Sequence, residues 1–334
     1  MAKIILMEPF SFFKAKDDQT AIKTLSEEKK GRYLAGSTNL VDLMRRHVET
    51  PSLLVDINDL NLKKIEFTGN KLRIGALVTN SDLAYHKDVV KYFPVLSQAI
   101  LSGASPQIRN MATTGGNILQ RTRCPYFYDT AFPCNKREPG SGCSAINGYN
   151  RMHAVLGTSD QCIATHPSDM CVAMIALDAV IRVRGESGSR DILFKDFHLE
   201  PGNAPDKENV LKHGELIEAV EIPSLPFAKK SAYIKVRDRT SFEFALASAA
   251  VALDINNGMI KSARIGMGGI ATKPWRAEKA EQVLAGKKFD EKILEEAATT
   301  EMSEAKPHKH NEFKIALAKR TLVRALKKVG GLHE

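Results

Sequence analysis

The sequence predicts an α+β protein of two domains. Three observations lead there. The chain has 334 residues, enough for two hydrophobic cores. Its first half mixes short strand and helix patterns, and its second half carries four apolar strand patterns followed by three helical ones. Hydrophobic residues make up 43% and charged residues 26%, proportions that place the chain with globular rather than disordered or fibrous proteins.

Taken in order, Met1 to Phe10 is a short apolar run with one lysine, no twin-arginine pair and no small-residue cleavage site. It reads as a first strand rather than a signal peptide. Asp18 to Lys29 reads as a helix and Arg32 to Ala35 as a strand. Thr38 to His47 reads as a second helix, with Leu40, Leu43 and Met44 on one face. Leu53 to Ile57 and Lys71 to Leu77 are strand patterns, the latter entered through a Gly69-Asn70 turn. From about Arg121 to Thr165 periodicity vanishes, while proline, glycine and four of the five cysteines accumulate. A structureless stretch of that length inside a compact domain is usually functional or disordered, and its cysteine density argues for function.

Ser168 to Ala179 resumes a helix and Val180 to Val183 a strand. A Gly-Ser-rich turn, Gly185 to Ser189, and the loop Pro201 to Lys207 place a domain junction near residue 190. Strands follow at Leu216 to Ile222, Ala232 to Val236, Ala245 to Ile255 and Ile260 to Met267, the last two joined through Asn256-Asn257-Gly258. Helices at Ala277 to Ala285, Glu291 to Ala298 and Asn311 to Val329 then back an antiparallel sheet.

Lysine and arginine exceed aspartate and glutamate by 48 to 39, but the basic residues are spread along the chain, and no basic run is interleaved with aromatics. That argues against a nucleic-acid surface and for a solvated face or a partner surface. No apolar run is long enough to span a bilayer. There is no Ser-His-Asp arrangement, paired-carboxylate motif or HExxH. Cofactor loops without acid–base machinery fit an electron carrier better than a centre of substrate chemistry.

Three segments carry candidate chemistry. Ala35-Gly36-Ser37-Thr38-Asn39-Leu40 lies between a strand and the first turn of a helix, where small residues let peptide amides approach a phosphate. It also reads as an ordinary strand-to-helix turn with Thr38 as N-cap. Ala112-Thr113-Thr114-Gly115-Gly116-Asn117 offers a glycine pair that can bring main chain against a flat ligand, or a plain tight turn. It lacks the third glycine and the βαβ setting of a dinucleotide fingerprint. Cys124, Cys134, Cys143 and Cys162 are separated by 9, 8 and 18 residues. Four thiolates suit a cubane iron–sulfur cluster or an all-cysteine zinc site, and the spacing alone also leaves two disulfides open. Cys171 falls on an apolar helical face and reads as a core thiol. His153 and His166 lie near the cysteines; each is open to a metal-ligand reading, but they read better as structural or flavin-adjacent side chains.

In this order the segments resemble the FAD-binding medium subunit of the xanthine dehydrogenase, or molybdenum hydroxylase, family. The first loop is similar to the family's Ala-Gly-Gly-Thr-Asn/Asp-Leu, with Ser37 in place of a glycine. Thr113-Thr114-Gly115-Gly116-Asn117 resembles its second flavin loop, and Ser168-Asp169 a following Ser-Asp pair. The segment Glu215 to Pro223, with Ile217, and the run Lys235-Val-Arg-Asp-Arg239 resemble segments that line the isoalloxazine pocket. The resemblance covers essentially the whole chain. The cysteine segment is most similar to the branch containing the flavin subunit of bacterial periplasmic aldehyde oxidoreductase, in which an inserted loop binds a 4Fe-4S cluster.

The resemblance implies a vanillyl-alcohol-oxidase-type FAD-binding domain over 1–190, with an iron–sulfur loop at about 121–165. A small domain like the C-terminal domain of CO dehydrogenase flavoproteins follows over 191–334. It implies FAD held by Tyr33, Ala35, Gly36, Ser37, Thr38, Asn39, Leu40, Ala112, Thr113, Gly116, Asn117, Ser168, Asp169, Ile217 and Lys235, with Cys124, Cys134, Cys143 and Cys162 as ligands of a 4Fe-4S cluster. In that role the chain is an electron-transfer subunit of a heterotrimer. Substrate is oxidised on a large molybdenum-cofactor subunit, a small 2Fe-2S subunit relays the electrons, and this chain passes them to an external acceptor. The expected location is the cytoplasm, or the periplasm if a partner carries a twin-arginine signal. Two other readings of the residues are a stand-alone flavin oxidase and a zinc-stabilised binding module without enzymatic activity.

Overall fold

A computed structural model of the chain describes residues 7–68 and 70–332. The expected mixture of helix and sheet is present in three sheets. The first holds β1 (Ser11–Lys14), β2 (Gly31–Leu34) and β3 (Leu53–Asp56), parallel throughout in the order β1-β3-β2. The helix Asp18–Glu27 between β1 and β2 is capped by Asp17, whose carboxylate accepts from the Thr20 amide. It buries Ala21, Ile22 and Leu25 against the small core around Val55 and Leu77. Of the strand expected over Met1 to Phe10, residues 1–6 lie outside the described residues and 7–10 are irregular.

The second sheet is antiparallel, in the order β4-β5-β8-β6-β7: β4 (Ile65–Thr68), β5 (Lys71–Gly75), β6 (Val180–Gly185), β7 (Gly188–Leu193) and β8 (Leu216–Pro223). Thr68 pairs with Lys71; of the Gly69-Asn70 turn expected between them, Gly69 lies outside the described residues. The junction expected near residue 190 is corrected here. The Gly-Ser-rich turn is the tip of the β6–β7 hairpin, with Gly185 opposite Gly188, and β8 then inserts between β5 and β6. A glycine-rich hairpin tip and a linker look alike in sequence because both need permissive backbone. The first domain therefore continues through β8.

The third sheet, β12-β11-β10-β9, contains β9 (Ser231–Val236), β10 (Ala247–Asn256), β11 (Met259–Gly268) and β12 (Trp275–Arg276). Asn256 pairs with Met259, and Asn257 and Gly258 turn between them with φ of 50° and 73°. That is the asparagine–glycine hairpin the sequence predicts. The helices Glu278–Leu284 and Phe313–Gly330 pack on this sheet and Glu291–Glu301 on those two helices, so that Leu284, Leu294, Leu322 and Leu326 share one core with Val251, Leu253 and Ile265. Each such side chain taken from water contributes about 1.5–3 kcal/mol. The helix Asp169–Ala176 lies between the domains. Gly266 and Gly268 admit it, since a Cβ at Gly266 would sit 2.2 Å from the Val172 carbonyl oxygen. Among the described residues no helix is long and apolar enough to cross a membrane.

Candidate functional site

The first loop leaves β2 at Leu34. Gly36 packs directly on the main chain of Met111 and Ala112, where a Cβ would lie 1.9 Å from the Met111 carbonyl oxygen. Glycine is required there less to admit a ligand than to press the first loop against the approach to the second. Ser37 has φ 63°, a left-handed conformation that glycine adopts more cheaply, and its Oγ donates to the Ala35 carbonyl at 3.1 Å. The amides of Gly36, Ser37, Thr38, Asn39 and Leu40 donate to no other described residue, which leaves a run of consecutive donors available to a ligand. Thr38 is not the N-cap, because the helix begins at Leu40 after Asn39. Asn39 does not cap with its side chain either. Its Oδ1 accepts from the Arg121 amide at 2.9 Å and its Nδ2 donates to the Tyr128 hydroxyl at 3.4 Å, tying the loop to the cysteine segment.

The second loop is more self-contained. The amides of Thr114 and Gly115 donate to Val78 and Ala76 carbonyls, each at 2.8 Å. Gly116 donates to the Thr113 hydroxyl at 3.2 Å, and Asn117 to the Thr113 carbonyl at 2.8 Å. The loop can therefore meet a ligand by shape and side chain rather than by free amides. Gly115 abuts Ala76, whereas around the missing Cβ of Gly116 only the Thr113 hydroxyl lies close. Asn117 Oδ1 accepts from Ser168 Oγ at 2.6 Å, and Ser168 Oγ in turn caps the helix Asp169–Ala176 by accepting from the Cys171 amide at 3.0 Å.

Asp169 and Lys235 come together from the two domains. Lys235 Nζ donates to Asp169 Oδ2 at 2.8 Å and to the Ser102 carbonyl at 3.0 Å, and the Tyr233 hydroxyl donates to Asp169 Oδ1 at 2.6 Å. The lysine and aspartate side chains are only 4% and 8% exposed. Burial, with the aspartate charge beside it, holds the Tyr233 hydroxyl well above its ordinary pKa, so it remains a donor. Tyr33 and Ile217 have packing roles in this structure. The Tyr33 hydroxyl donates to the Gly214 carbonyl at 2.8 Å, and Ile217 is buried in the larger core.

The four cysteines converge. Cys124, Cys134 and Cys162 are buried and Cys143 partly so, packed with Leu43, Phe127, Ala145 and Ile163 in one cluster; all are free thiols. The Cys134 and Cys143 backbones pair, and Asn135 fastens the turn by accepting from the Gly142 amide at 2.8 Å and donating to the Gln161 side chain at 2.9 Å. No three of the sulfurs lie within 4.8 Å of one another. A single tetrahedral ion with Zn–S bonds of about 2.3 Å would need all four about 3.8 Å apart. The iron corners of a cubane hold thiolates further apart, and these sulfurs are close enough to act electrostatically on one another. The donor set therefore fits a cluster better than an ion.

Burial raises the Cys124 thiol to about 12 and the Cys162 thiol to about 11. The Ala164 amide donates to Cys162 Sγ at 3.4 Å, and His153 Nε2 lies 3.1 Å from Cys124 Sγ. Burial lowers His153 to about 4, leaving it neutral.

Sequence reasoning missed the charges that anchor this segment. Arg121 Nε meets Glu208 at 2.6 Å and Nη1 meets Glu49 at 2.5 Å, while Lys136 Nζ reaches Glu208 at 2.9 Å. No local pattern could pair residues so far apart in the chain. Cys171 is the core thiol expected, fully buried, though its sulfur lies within 4.8 Å of nitrogens of His166 and His198. The backbone fixes both tautomers. His198 Nε2 donates to the Ile118 carbonyl at 3.0 Å, leaving Nδ1 bare, whereas the Ser168 amide donates to His166 Nδ1 at 3.3 Å, placing the proton on Nε2. His166 Nε2 and His198 Nδ1 are both buried and hydrogen-bonded to no described residue, and with a proton on the former the trio is not a set of three lone pairs for a cation.

Comparison with known proteins agrees with this division. Residues 8–225 match the family described as the FAD binding domain in molybdopterin dehydrogenase, and residues 231–329 the CO dehydrogenase flavoprotein C-terminal domain. The break falls between β8 and β9. The chain is 48% identical over 322 residues to the aldehyde oxidoreductase FAD-binding subunit PaoB of Escherichia coli, covering 96% of this chain and 98% of that one. It is 28% identical to the glyceraldehyde dehydrogenase medium chain of Sulfolobus acidocaldarius, covering 89% of each. Among solved structures it is similar to reconstituted CO dehydrogenase from Oligotropha carboxidovorans, with a TM-score of 0.77 at 25% identity, over 98% of this chain and 100% of that one.

Proposed function

The chain belongs to the FAD-binding medium-subunit family of the molybdenum hydroxylases, and from that premise we propose that it is the FAD and 4Fe-4S electron-transfer subunit of a heterotrimeric molybdenum-containing aldehyde oxidoreductase. Members of this family are subunits of oxidoreductases, and aldehyde is the substrate class named for the relative that is 48% identical. In the proposed assembly a large molybdenum-cofactor subunit oxidises the substrate, a small subunit with 2Fe-2S clusters relays the electrons, and this chain delivers them to an external acceptor.

Bound FAD supplies the exchange between one-electron clusters and a two-electron acceptor that this position requires. The free amides of Gly36 to Leu40 hold its pyrophosphate. Ala35, Ala112, Thr113, Gly116 and Asn117 shape the ribityl wall, with Asn117 oriented by Ser168. Asp169 and Lys235 act on the flavin site through their own pairing, which locks the seam between the domains beside it; Tyr33 and Ile217 support it from behind. Cys124, Cys134, Cys143 and Cys162 hold the cluster.

The observation that carries this reading is the buried cluster of four free thiols, no three of whose sulfurs lie within 4.8 Å of one another. An anaerobic visible spectrum of the purified chain, with iron, zinc and sulfide assays on the same sample, tests it. Flavin bands over a broad brown shoulder, with about four irons per chain, are expected. A chain containing zinc and no sulfide would refute the cluster and the electron path through it.

A further inference from the structure

The helix Phe313–Gly330 buries a charged side chain. Lys314 is fully buried, and its Nζ donates to the carbonyls of Met152 at 3.1 Å, His153 at 3.0 Å and Gly269. No carboxylate of a described residue pairs with it, and burial lowers the ammonium to about 7. An ammonium surrounded by carbonyls alone is costly to bury, and a nearby negative centre would offset that cost.

The peptide it grips carries the imidazole that touches a cysteine. His153 is 2% exposed, and its Nε2 lies 3.1 Å from Cys124 Sγ. Its carbonyl accepts from Lys314 and, at 3.4 Å, from Asn311 Nδ2, which also donates to the Ala154 carbonyl at 3.1 Å. The His310 amide donates to Asn150 Oδ1 at 3.0 Å. The C-terminal domain thus fixes residues 150–154, and with them the imidazole, against the sulfur.

We infer that His153 and Lys314 set the reduction potential of the iron–sulfur cluster held by Cys124, His153 by donating Nε2–H to the cysteine sulfur and Lys314 by fixing the His153 peptide and adding buried positive charge. The inference rests on the cluster reading above. Four thiolates outweigh the positive charge of an iron–sulfide core, and reduction adds one more electron without making or breaking a bond. A donor to sulfur and a buried cation both stabilise the reduced form more than the oxidised one, and so raise the potential. His153 and Lys314 are positioning residues, since neither is a ligand.

The test is an anaerobic redox titration of the full chain with dithionite as electron source, followed by electron paramagnetic resonance, with iron and sulfide measured on each sample. His153→Phe is expected to hold the added electron about tenfold less tightly, a fall in midpoint of about 59 mV for one electron. Lys314→Met should move it in the same direction, while His153→Gln and Lys314→Arg, which keep a donor and a charge, restore most of the shift. A cluster with normal iron and sulfide and an unchanged midpoint in His153→Phe and Lys314→Met overturns the inference and leaves the cluster standing. If His153→Phe does not retain its cluster, Lys314→Met decides against Lys314→Arg: equal midpoints overturn the inference and a lower one in the methionine variant supports it. A native chain without iron and sulfide overturns the cluster reading itself.

Discussion

Replacing Lys235 by methionine should strongly destabilise the protein, because it strands a buried carboxylate. Lys235 Nζ and Asp169 Oδ2 are 2.8 Å apart with both side chains almost fully buried. At an effective dielectric of about 20 two unit charges at that separation attract by about 6 kcal/mol. Desolvation of the pair offsets most of this in the native protein, but Lys235→Met leaves the Asp169 carboxylate buried with the Tyr233 hydroxyl as its main partner. Stranding one charge of a buried pair costs about 3–5 kcal/mol. For a domain the size of residues 8–225, that corresponds to a fall in melting temperature of about 6–20 °C.

The assay is thermal unfolding of the flavin-loaded chain followed by circular dichroism, run for Lys235→Met, Asp169→Asn and the double variant. Removing both charges together should recover most of the loss, because a neutral amide beside a methionine strands no charge. A Lys235→Met chain that melts with the native protein, or a double variant whose loss equals the sum of the single ones, would refute the account. A shifted flavin potential with unchanged melting would instead give Lys235 a direct role on the isoalloxazine.

Three further outcomes are expected. Gly36→Ala places a methyl 1.9 Å from the Met111 carbonyl oxygen, so the first loop and the approach to the second must part; with these loops holding FAD as proposed, its affinity, read by fluorescence titration of the stripped chain, should fall at least about tenfold, roughly 1.4 kcal/mol, and an unchanged affinity would discard the loop contact. Cys124→Ser should lose iron and sulfide while keeping flavin, measured as the ratio of metal to FAD, and full iron retention would remove Cys124 from the ligand set. His198 is lowered to about 4 from 6.5 by burial; the unfolded chain therefore binds its proton first as pH falls, so stability is complete above about 6.5 and is lost towards 4, by up to about 1.4 kcal/mol per pH unit. His198→Phe should make the slope of urea-unfolding stability over that window shallower by about this amount, and identical slopes would show that His198 does not stay neutral in the fold.

Much of this architecture is legible in local sequence. Asn257-Gly258 specifies its hairpin because few other residue pairs accept positive φ at both turn positions. Asp17 and Ser168 supply side-chain caps for their helices, and the loops Gly36–Leu40 and Thr113–Asn117 stand where strand patterns give way to helix. The four-cysteine count limited the chemistry of the irregular segment before any coordinates. One signal went unread. Lys314 precedes Ala318, Thr321, Leu322 and Ala325 at helical spacing, so the periodicity already puts a lysine on the buried face.

Only the tertiary structure decided the rest. Which strand fills the gap between β5 and β6, and therefore where the first domain ends, depends on a pairing across more than a hundred residues, and the glycine-rich tip of β6–β7 imitates a linker. Spacing along the chain could not show that the four cysteines converge, because their meeting is set by how separate segments pack, not by the residues between them. The union of Asp169 with Lys235, and of His153 with Cys124 and Lys314, follows the same rule. Turns, caps and periodic faces are properties of neighbouring residues and survive in the sequence, whereas a buried charge finds its partner only when separate elements close over it and water is excluded.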